Sequence, residues 1–343
     1  MTKLEQLIRP NILNLDPYSS ARDEFKGDDA VFLDANENPF GSLNRYPDPY
    51  QRALKSKLSI VKNVSEQHLF VGNGSDEIID LLYRIFCEPG KDKAATFSPT
   101  YGMYEVSANI NNVELIQVPL NDHFEINEEQ TNAVLYDPSI KLLFICSPNN
   151  PTGNLMNSEL IERILRKFKG IVVIDEAYID FSDQQSWSQR IAEFSNLVVC
   201  QTFSKAYGIA SARVGIAITN SEIITYLNKV KPPYNVSSLN QNAAIKCLEN
   251  SAEIERQIDL IKKERSKVID QLSTLSIVTR IFPTQSNFVL VRVSDAAAIY
   301  SYLVSKGVVV RNRTRIVENG LRITIGLPEE NTQLMNLLKT YPS

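Results

Sequence analysis

Through the first two thirds of the chain, short apolar runs alternate with segments whose apolar residues recur at helical spacing. "HLFVGN" (68–73) reads as a strand, and "SDEIIDLLYRIFC" (75–87) as an amphipathic helix behind it. "KAATFS" (93–98), "KLLFICS" (141–147), "GIVVIDEA" (170–177) and "NLVVCQTFS" (196–204) are further strand candidates, rich in Val, Ile and Phe and apolar on both faces. Helical patterns such as "NSELIERILRKFK" (157–169) separate most of them. Strands buried on both sides and spaced by helices predict an α/β fold, a mainly parallel sheet with helices on both faces.

Around "KPPYN" (231–235) the pattern changes. A helical stretch over roughly 239–275 is followed by strand-like "NFVLVRV" (287–293), "GVVVRN" (307–312) and "LRITIG" (321–326), which predicts a smaller C-terminal α+β domain. The expected division is an N-terminal arm over 1–29, with Pro10 and Pro17, a large domain over 30–232 and a small domain over 233–343. There is no internal repeat and no low-complexity segment.

Composition narrows the chemistry. The 343 residues are 43% hydrophobic, enough for a sizeable core, and the net charge of −4 supplies no drive toward nucleic acid or an anionic membrane. The densest basic cluster, "RILRKFK" (163–169), fits a solvated helix face. "MTKLEQLIRP" lacks the apolar core of a signal peptide, and no apolar run reaches membrane-spanning length, so a cytoplasmic protein is expected. The four cysteines form no CxxC pair and there are two histidines, so neither cysteine chemistry nor a metal site is expected. Attention moves to lysine.

Ligand sites in open α/β sheets lie outside the carboxyl ends of the strands, and polar residues gather at several such ends here. "VGNGSDE" (71–77) runs from a strand through glycines into a helix start, which suits backbone binding of phosphate and equally suits capping by Ser75 or Asp76. "CSPNNPTG" (146–153) is a polar loop that, taken alone, is compatible with a plain Pro/Gly turn. Asp175 follows four apolar residues, where an unpaired carboxylate is costly. It fits a partner for a cationic ring nitrogen, a helix cap, or a metal ligand with only Glu176 near it as companion. "TFSKAYGIASAR" (202–213) sets Thr202, Ser204, Lys205 and Arg213 after the run 196–200. Hydroxyls and a guanidinium suit a phosphate monoester, and a lysine beside them can form a Schiff base with a carbonyl. Alone, Lys205 reads as a surface lysine. In this order the set points to a cofactor with both an aldehyde and a phosphate, such as pyridoxal 5′-phosphate (PLP).

With these motifs in order, the sequence resembles the fold-type I PLP-dependent aminotransferases over nearly its whole length. The resemblance rests on "DPYSSAR" (16–22), "DANENPFG" (34–41), "NRYPDP" (44–49), "GNGSDEIIDLL" (72–82), "FCEPG" (86–90), "SPTYGMY" (98–104), "CSPNNPTG", "VIDEAYIDF" (173–181), "TFSKAYGIASARVG" (202–215), "VRNR" (310–313) and "LRITIG". "ANENP", "PTYGMY" and "DEAYIDF" are similar to the branch that acts on histidinol phosphate.

The resemblance implies a seven-stranded, mainly parallel PLP-binding sheet and a homodimer. It implies that Lys205 carries the cofactor and moves the substrate proton, that Asp175 pairs with the pyridinium nitrogen, and that Tyr178 and Asn150 hold the ring oxygen while Tyr101 stacks on the ring. Gly74, Ser75 and Asp76 would hold the phosphate with Thr202, Ser204 and Arg213, and Tyr46 would reach it from the partner subunit. Arg322 would bind the anionic end of the substrate, with Arg311 and Tyr18 completing that pocket. The implied substrates are L-histidinol phosphate and 2-oxoglutarate, giving imidazole acetol phosphate and glutamate in histidine biosynthesis. Aromatic amino acid aminotransferases and threonine-phosphate decarboxylases share the framework. PLP-binding sensors in transcription regulators add a DNA-binding segment, for which the roughly thirty residues before the core are too few.

Overall fold

The first sheet has seven strands: β1 (Leu69–Asn73), β2 (Lys93–Ser98), β3 (Glu114–Pro119), β4 (Ile140–Cys146), β5 (Ile171–Asp175), β6 (Leu197–Thr202) and β7 (Val214–Thr219). This is a computed structural model, and it describes residues 4–18, 25 and 30–342. The strands lie in the order β1-β7-β6-β5-β4-β2-β3. The pairs from β6 to β3 are parallel, and β7 runs antiparallel to both β6 and β1. All five strand candidates of the first two thirds are strands; β3 and β7 were not among them.

Alternation along the strands sorts their side chains into two cores. Leu142, Phe144, Ile171 and Val173 pack with Ile78, Leu82 and Phe86 of helix Ser75–Phe86 and with Ile223 and Leu227 of helix Ser221–Val230. Leu143, Ile145, Val172 and Ile174 pack with Leu54 and Leu58 of helix Arg52–Lys62 and Ile161 and Ile164 of helix Ser158–Lys167. Each such side chain contributes about 1.5–3 kcal/mol by leaving water, so the helices are held to both faces by the residues that make the strands apolar on both sides. Leu4, Ile8 and Ile12 of the N-terminal segment join the first core. Residues 1–3, 19–24 and 26–29, which include the end of the 16–22 motif, lie outside the described residues.

The second sheet is antiparallel, in the order β10-β11-β9-β8, from β8 (Val278–Ile281), β9 (Phe288–Val293), β10 (Arg311–Asn312) and β11 (Gly320–Thr324). Its own core gathers Val289, Val291, Ile299, Ile323 and Leu334. Two expectations are corrected here. The helical stretch over 239–275 is two helices, Ser238–Glu249 and Ser251–Leu272, broken at Asn250, whose backbone (φ −109°, ψ 36°) leaves the helical region. Of the proposed strand 307–312, only Arg311–Asn312 pairs; Val309 is 74% exposed and adds nothing to a buried face.

Two of the contacts that join the sheets lie close together. Gly153 sits at φ +85°, and its carbonyl accepts from Gln285 N at 2.7 Å. A Cβ there would lie 2.7 Å from Thr284 Cβ. Arg265, buried on helix Ser251–Leu272, donates to the carbonyls of Phe181 (3.3 Å) and Ser286 (2.8 Å). Gly153→Ala is expected to cost about 1–3 kcal/mol, from the left-handed backbone and the crowding of Thr284. A lower urea midpoint at unchanged slope would register it, and an unmoved midpoint would refute it.

Candidate active site

β2, β4, β5 and β6 end at Ser98, Cys146, Asp175 and Thr202 on one edge of the first sheet, and β7, running the other way, starts just after Arg213 at the same edge. A cavity of about 380 Å³ opens there, with Arg311, Arg313 and Arg322 of the second sheet forming its far wall. The parallel strands thus deliver polar residues to a common rim, as open α/β sheets do.

Asp175 is on the same strand face as Ile171 and Val173, so it points to the core that holds Tyr104. Tyr104 Oη donates to Asp175 Oδ2 at 2.7 Å and Ala177 N donates to Oδ1 at 3.1 Å. Burial raises the Asp175 pKa, and these two hydrogen bonds oppose that rise. A buried carboxylate with a raised pKa is poised to gain from a cationic partner. Glu176, one residue on, points to the opposite face, where it accepts from Trp187 N (2.7 Å), Gln201 Nε2 (2.9 Å) and the Ser186 hydroxyl. It is spent on holding that loop, so the two carboxylates do not converge on one ion. Among the described residues no three His, Cys, Asp or Glu side chains are grouped to hold a metal.

Lys205 lines the cavity, with its ammonium 5.8 Å from the ring centre of Tyr178. The side chain is exposed toward the cavity, yet the enclosing walls lower its pKa, and the Arg322 charge adds to the effect. Asn150 Nδ2 donates to Tyr178 Oη at 3.4 Å, so these two polar groups flank the lysine together. Tyr178, Ala206 and Phe288 form a small apolar floor beneath them that spans both sheets.

On one side of Lys205 lies an anion cradle. Gly74 caps helix Ser75–Phe86 at φ +81°, and no side chain caps it, so the expected capping by Ser75 or Asp76 is corrected. The first-turn N–H groups, the Ser204 hydroxyl and Arg213 face the same space. Arg213 Nη1 donates to Ser204 Oγ at 3.5 Å and Nη2 to Asp76 Oδ2 at 3.4 Å. Tyr101 Oη donates to Asp76 Oδ1 at 3.0 Å, and Thr202 Oγ1 accepts from Ser204 N at 3.1 Å. Two glycines make room: a Cβ on Gly74 would lie 2.6 Å from Arg213 Nη2, and one on Gly215 would run into the backbone of Gly74 and Ser75. Unspent helix N–H groups, a hydroxyl and a guanidinium are a donor set for phosphate.

On the other side are the arginines. Arg322 Nη1 donates to Asn150 Oδ1 at 2.5 Å, and its guanidinium lies 5.1 Å from the Phe288 ring centre. Arg311 and Arg313 line the same wall. Ser75, Asp76, Tyr101, Asn150, Tyr178, Thr202, Ser204, Lys205, Arg213, Arg311 and Arg322 are therefore brought together at one cavity, and Asp175 lies just behind it. Tyr18 and Tyr46 are not: they are 69% and 50% exposed, and Tyr46 stacks on Tyr234 at 4.4 Å between ring centres. Tyr104 and Arg313 are the residues that sequence reasoning missed. Each carries a signal of spacing. Tyr104 is one helical turn beyond Tyr101, and Arg313 is two residues along the strand from Arg311.

Known proteins carry the same architecture. A histidinol-phosphate aminotransferase from Cytophaga hutchinsonii is 49% identical, covering 98% of this chain and 99% of that protein. The crystal structure of histidinol-phosphate aminotransferase from Clostridium acetobutylicum superposes with a TM-score of 0.80 at 28% identity, covering 87% of this chain and 90% of that one. That of histidinol-phosphate aminotransferase from Sinorhizobium meliloti, in complex with pyridoxal-5′-phosphate, shares the fold with a TM-score of 0.80 at 22% identity, over 90% of each chain. The sequence pattern of the family described as aminotransferase class I and II matches residues 14–337, from the N-terminal segment through the last helix, and to that family the chain belongs.

Proposed function

We propose that the protein transfers an amino group between L-histidinol phosphate and 2-oxoglutarate, with PLP as cofactor, as a histidinol-phosphate transaminase of histidine biosynthesis. One observation carries this reading: Lys205 stands between two separate anion sites, the helix cradle on one side and the arginine wall on the other. A phosphorylated cofactor needs the first and an anionic substrate needs the second. The name borne by the relative at about half identity supports the substrate.

The residues present fit PLP. The cradle suits its phosphate, the buried Asp175 suits its ring nitrogen, and Tyr178 with Asn150 suits its ring oxygen. When bound, PLP supplies an aldehyde for the amino group and a ring that draws electrons from the substrate carbon. Asp175, steadied by Tyr104, holds a proton on the ring nitrogen. Lys205, its pKa lowered by the cavity walls, would offer a neutral amine that takes the proton from the amine-bearing carbon and hands it to the carbon supplied by the aldehyde. Arg322 and Arg311 hold the anionic end, a phosphate in one substrate and a carboxylate in the other.

The same reading includes a cytoplasmic homodimer in which Tyr46 reaches the partner's cofactor. Its place outside its own cavity, in a segment that also exposes Val31, Leu33, Phe40 and Leu43, supports a covered face. It also includes the division into an arm (1–29), a large domain (30–232) and a small domain (233–343). The substrate is tested by comparing L-histidinol phosphate, phenylalanine and phosphothreonine as donors with the PLP-loaded enzyme. Histidinol phosphate is expected to give the highest kcat/KM by at least about tenfold; were it the poorest of the three, the substrate assignment would fail.

A further inference from the structure

We propose that Arg313 is a specificity-determining residue that selects a doubly charged phosphate monoester over a carboxylate at the far wall of the cavity, an inference that rests on the transaminase reading above. Arg311 lies directly opposite Arg322 in the β10–β11 pair. Arg313 N donates to Gly320 O at 2.8 Å, so the ladder continues one step beyond β10. Residues two apart on a strand share a face, which places Arg313 with Arg311 and Arg322 along the cavity. The residue across from Arg313 is Gly320, which offers no side chain to cover it. Gly320 is itself required by the turn, since a Cβ there would lie 2.7 Å from Val317 O.

Three guanidiniums on one face are unfavourable by themselves, because like charges directly opposite each other destabilise a strand pair. The charged and titratable groups around Arg313 are Arg322, Arg311 and Tyr178. No carboxylate stands among them, and none of the three arginines forms an ion pair among the described residues. Arg313 Nε and Arg322 Nε are buried with no hydrogen-bond partner, and buried donors in that state are costly. An anion in the cavity offsets the charge penalty. A carboxylate brings one charge and two oxygens, which a single guanidinium fork can satisfy. A phosphate monoester brings nearly two charges and three strong acceptors, and a third guanidinium has a role only for it.

The test uses the full-length, PLP-loaded enzyme. Arg313→Gln is expected to raise KM for L-histidinol phosphate about tenfold or more, with a fall in kcat below about threefold, and to raise KM for glutamate less than about threefold. Arg313→Lys, which keeps the charge, recovers most of the loss. Inorganic phosphate, competing with glutamate, provides a reading independent of the donor: its inhibition constant rises about tenfold in Arg313→Gln. Equal losses with both donors, or no change in either KM or in phosphate inhibition, overturn the proposal. If the unaltered enzyme does not turn over histidinol phosphate, the donor assignment falls instead, and phosphate inhibition still decides the role of Arg313.

Discussion

Lys205→Ala is expected to reduce transamination about ten-thousand-fold, the upper range for losing a positioned acid–base group, and to abolish the shift in absorption that PLP shows on covalent attachment to the unaltered protein, leaving the spectrum of the free aldehyde. The size follows from position. Lys205 is the amine flanked by Tyr178 and Asn150, between the phosphate-type cradle and the arginine wall. The other polar groups near it are poor substitutes. Burial raises the Tyr178 phenol above its usual range, and Asp175 is behind the cavity, tied to Tyr104 and Ala177. The substitution leaves the cradle and the arginines in place, so the substrate's anionic end is still held while the proton has no carrier. Spectrophotometric titration with PLP together with steady-state rates decides the matter. A surviving shift, or activity within tenfold of the unaltered enzyme, would remove Lys205 from this role.

Asp175→Asn is expected to lower kcat by about a hundred- to a thousand-fold, comparable to losing one preorganised electrostatic group, with circular dichroism unchanged. Asparagine fills the same space, but it has a single carbonyl oxygen in place of two acceptors. The amide oxygen keeps the Ala177 N–H, and the Tyr104 hydroxyl keeps its contact only by turning to accept from the amide NH2, at a cost of about 1 kcal/mol in stability for the charge-assisted bonds lost. The larger loss is the negative charge. Burial beside Phe144 and Cys146 makes that charge expensive to keep, and a group retained at such a cost is there for its chemistry. Activity within threefold of the unaltered enzyme would show that the carboxylate charge is idle.

The central strands were legible because they are buried on both faces, so β4, β5 and β6 read as unbroken apolar runs. β3 was not. It is an edge strand whose only buried residue is Val118, and with Glu114 and Gln117 in the run it does not stand out from a loop. β7 is fully buried, but its apolar run begins at once after Arg213 and merges with the motif before it; its antiparallel direction depends on long-range pairing with β1 and β6. The site was legible where residues are close in sequence, as with Ser204, Lys205 and Arg213. Tyr104 escaped because its function depends on a bond to a residue 71 positions away. Arg313 escaped because a guanidinium in a turn reads as solvent-exposed until the opposite strand supplies Arg322 and Gly320.

Gly153 and Gln285 are separated by more than a hundred residues yet joined backbone to backbone, and Arg265 clasps the carbonyls of Phe181 and Ser286 close by. The consequence is mechanical. The backbone bond and the clasp together oppose sliding of the two sheets past each other at this point. Asn150 lies three residues from Gly153 and is bonded to Arg322. An anion bound at Arg322 therefore shares that guanidinium with the amide beside the lysine.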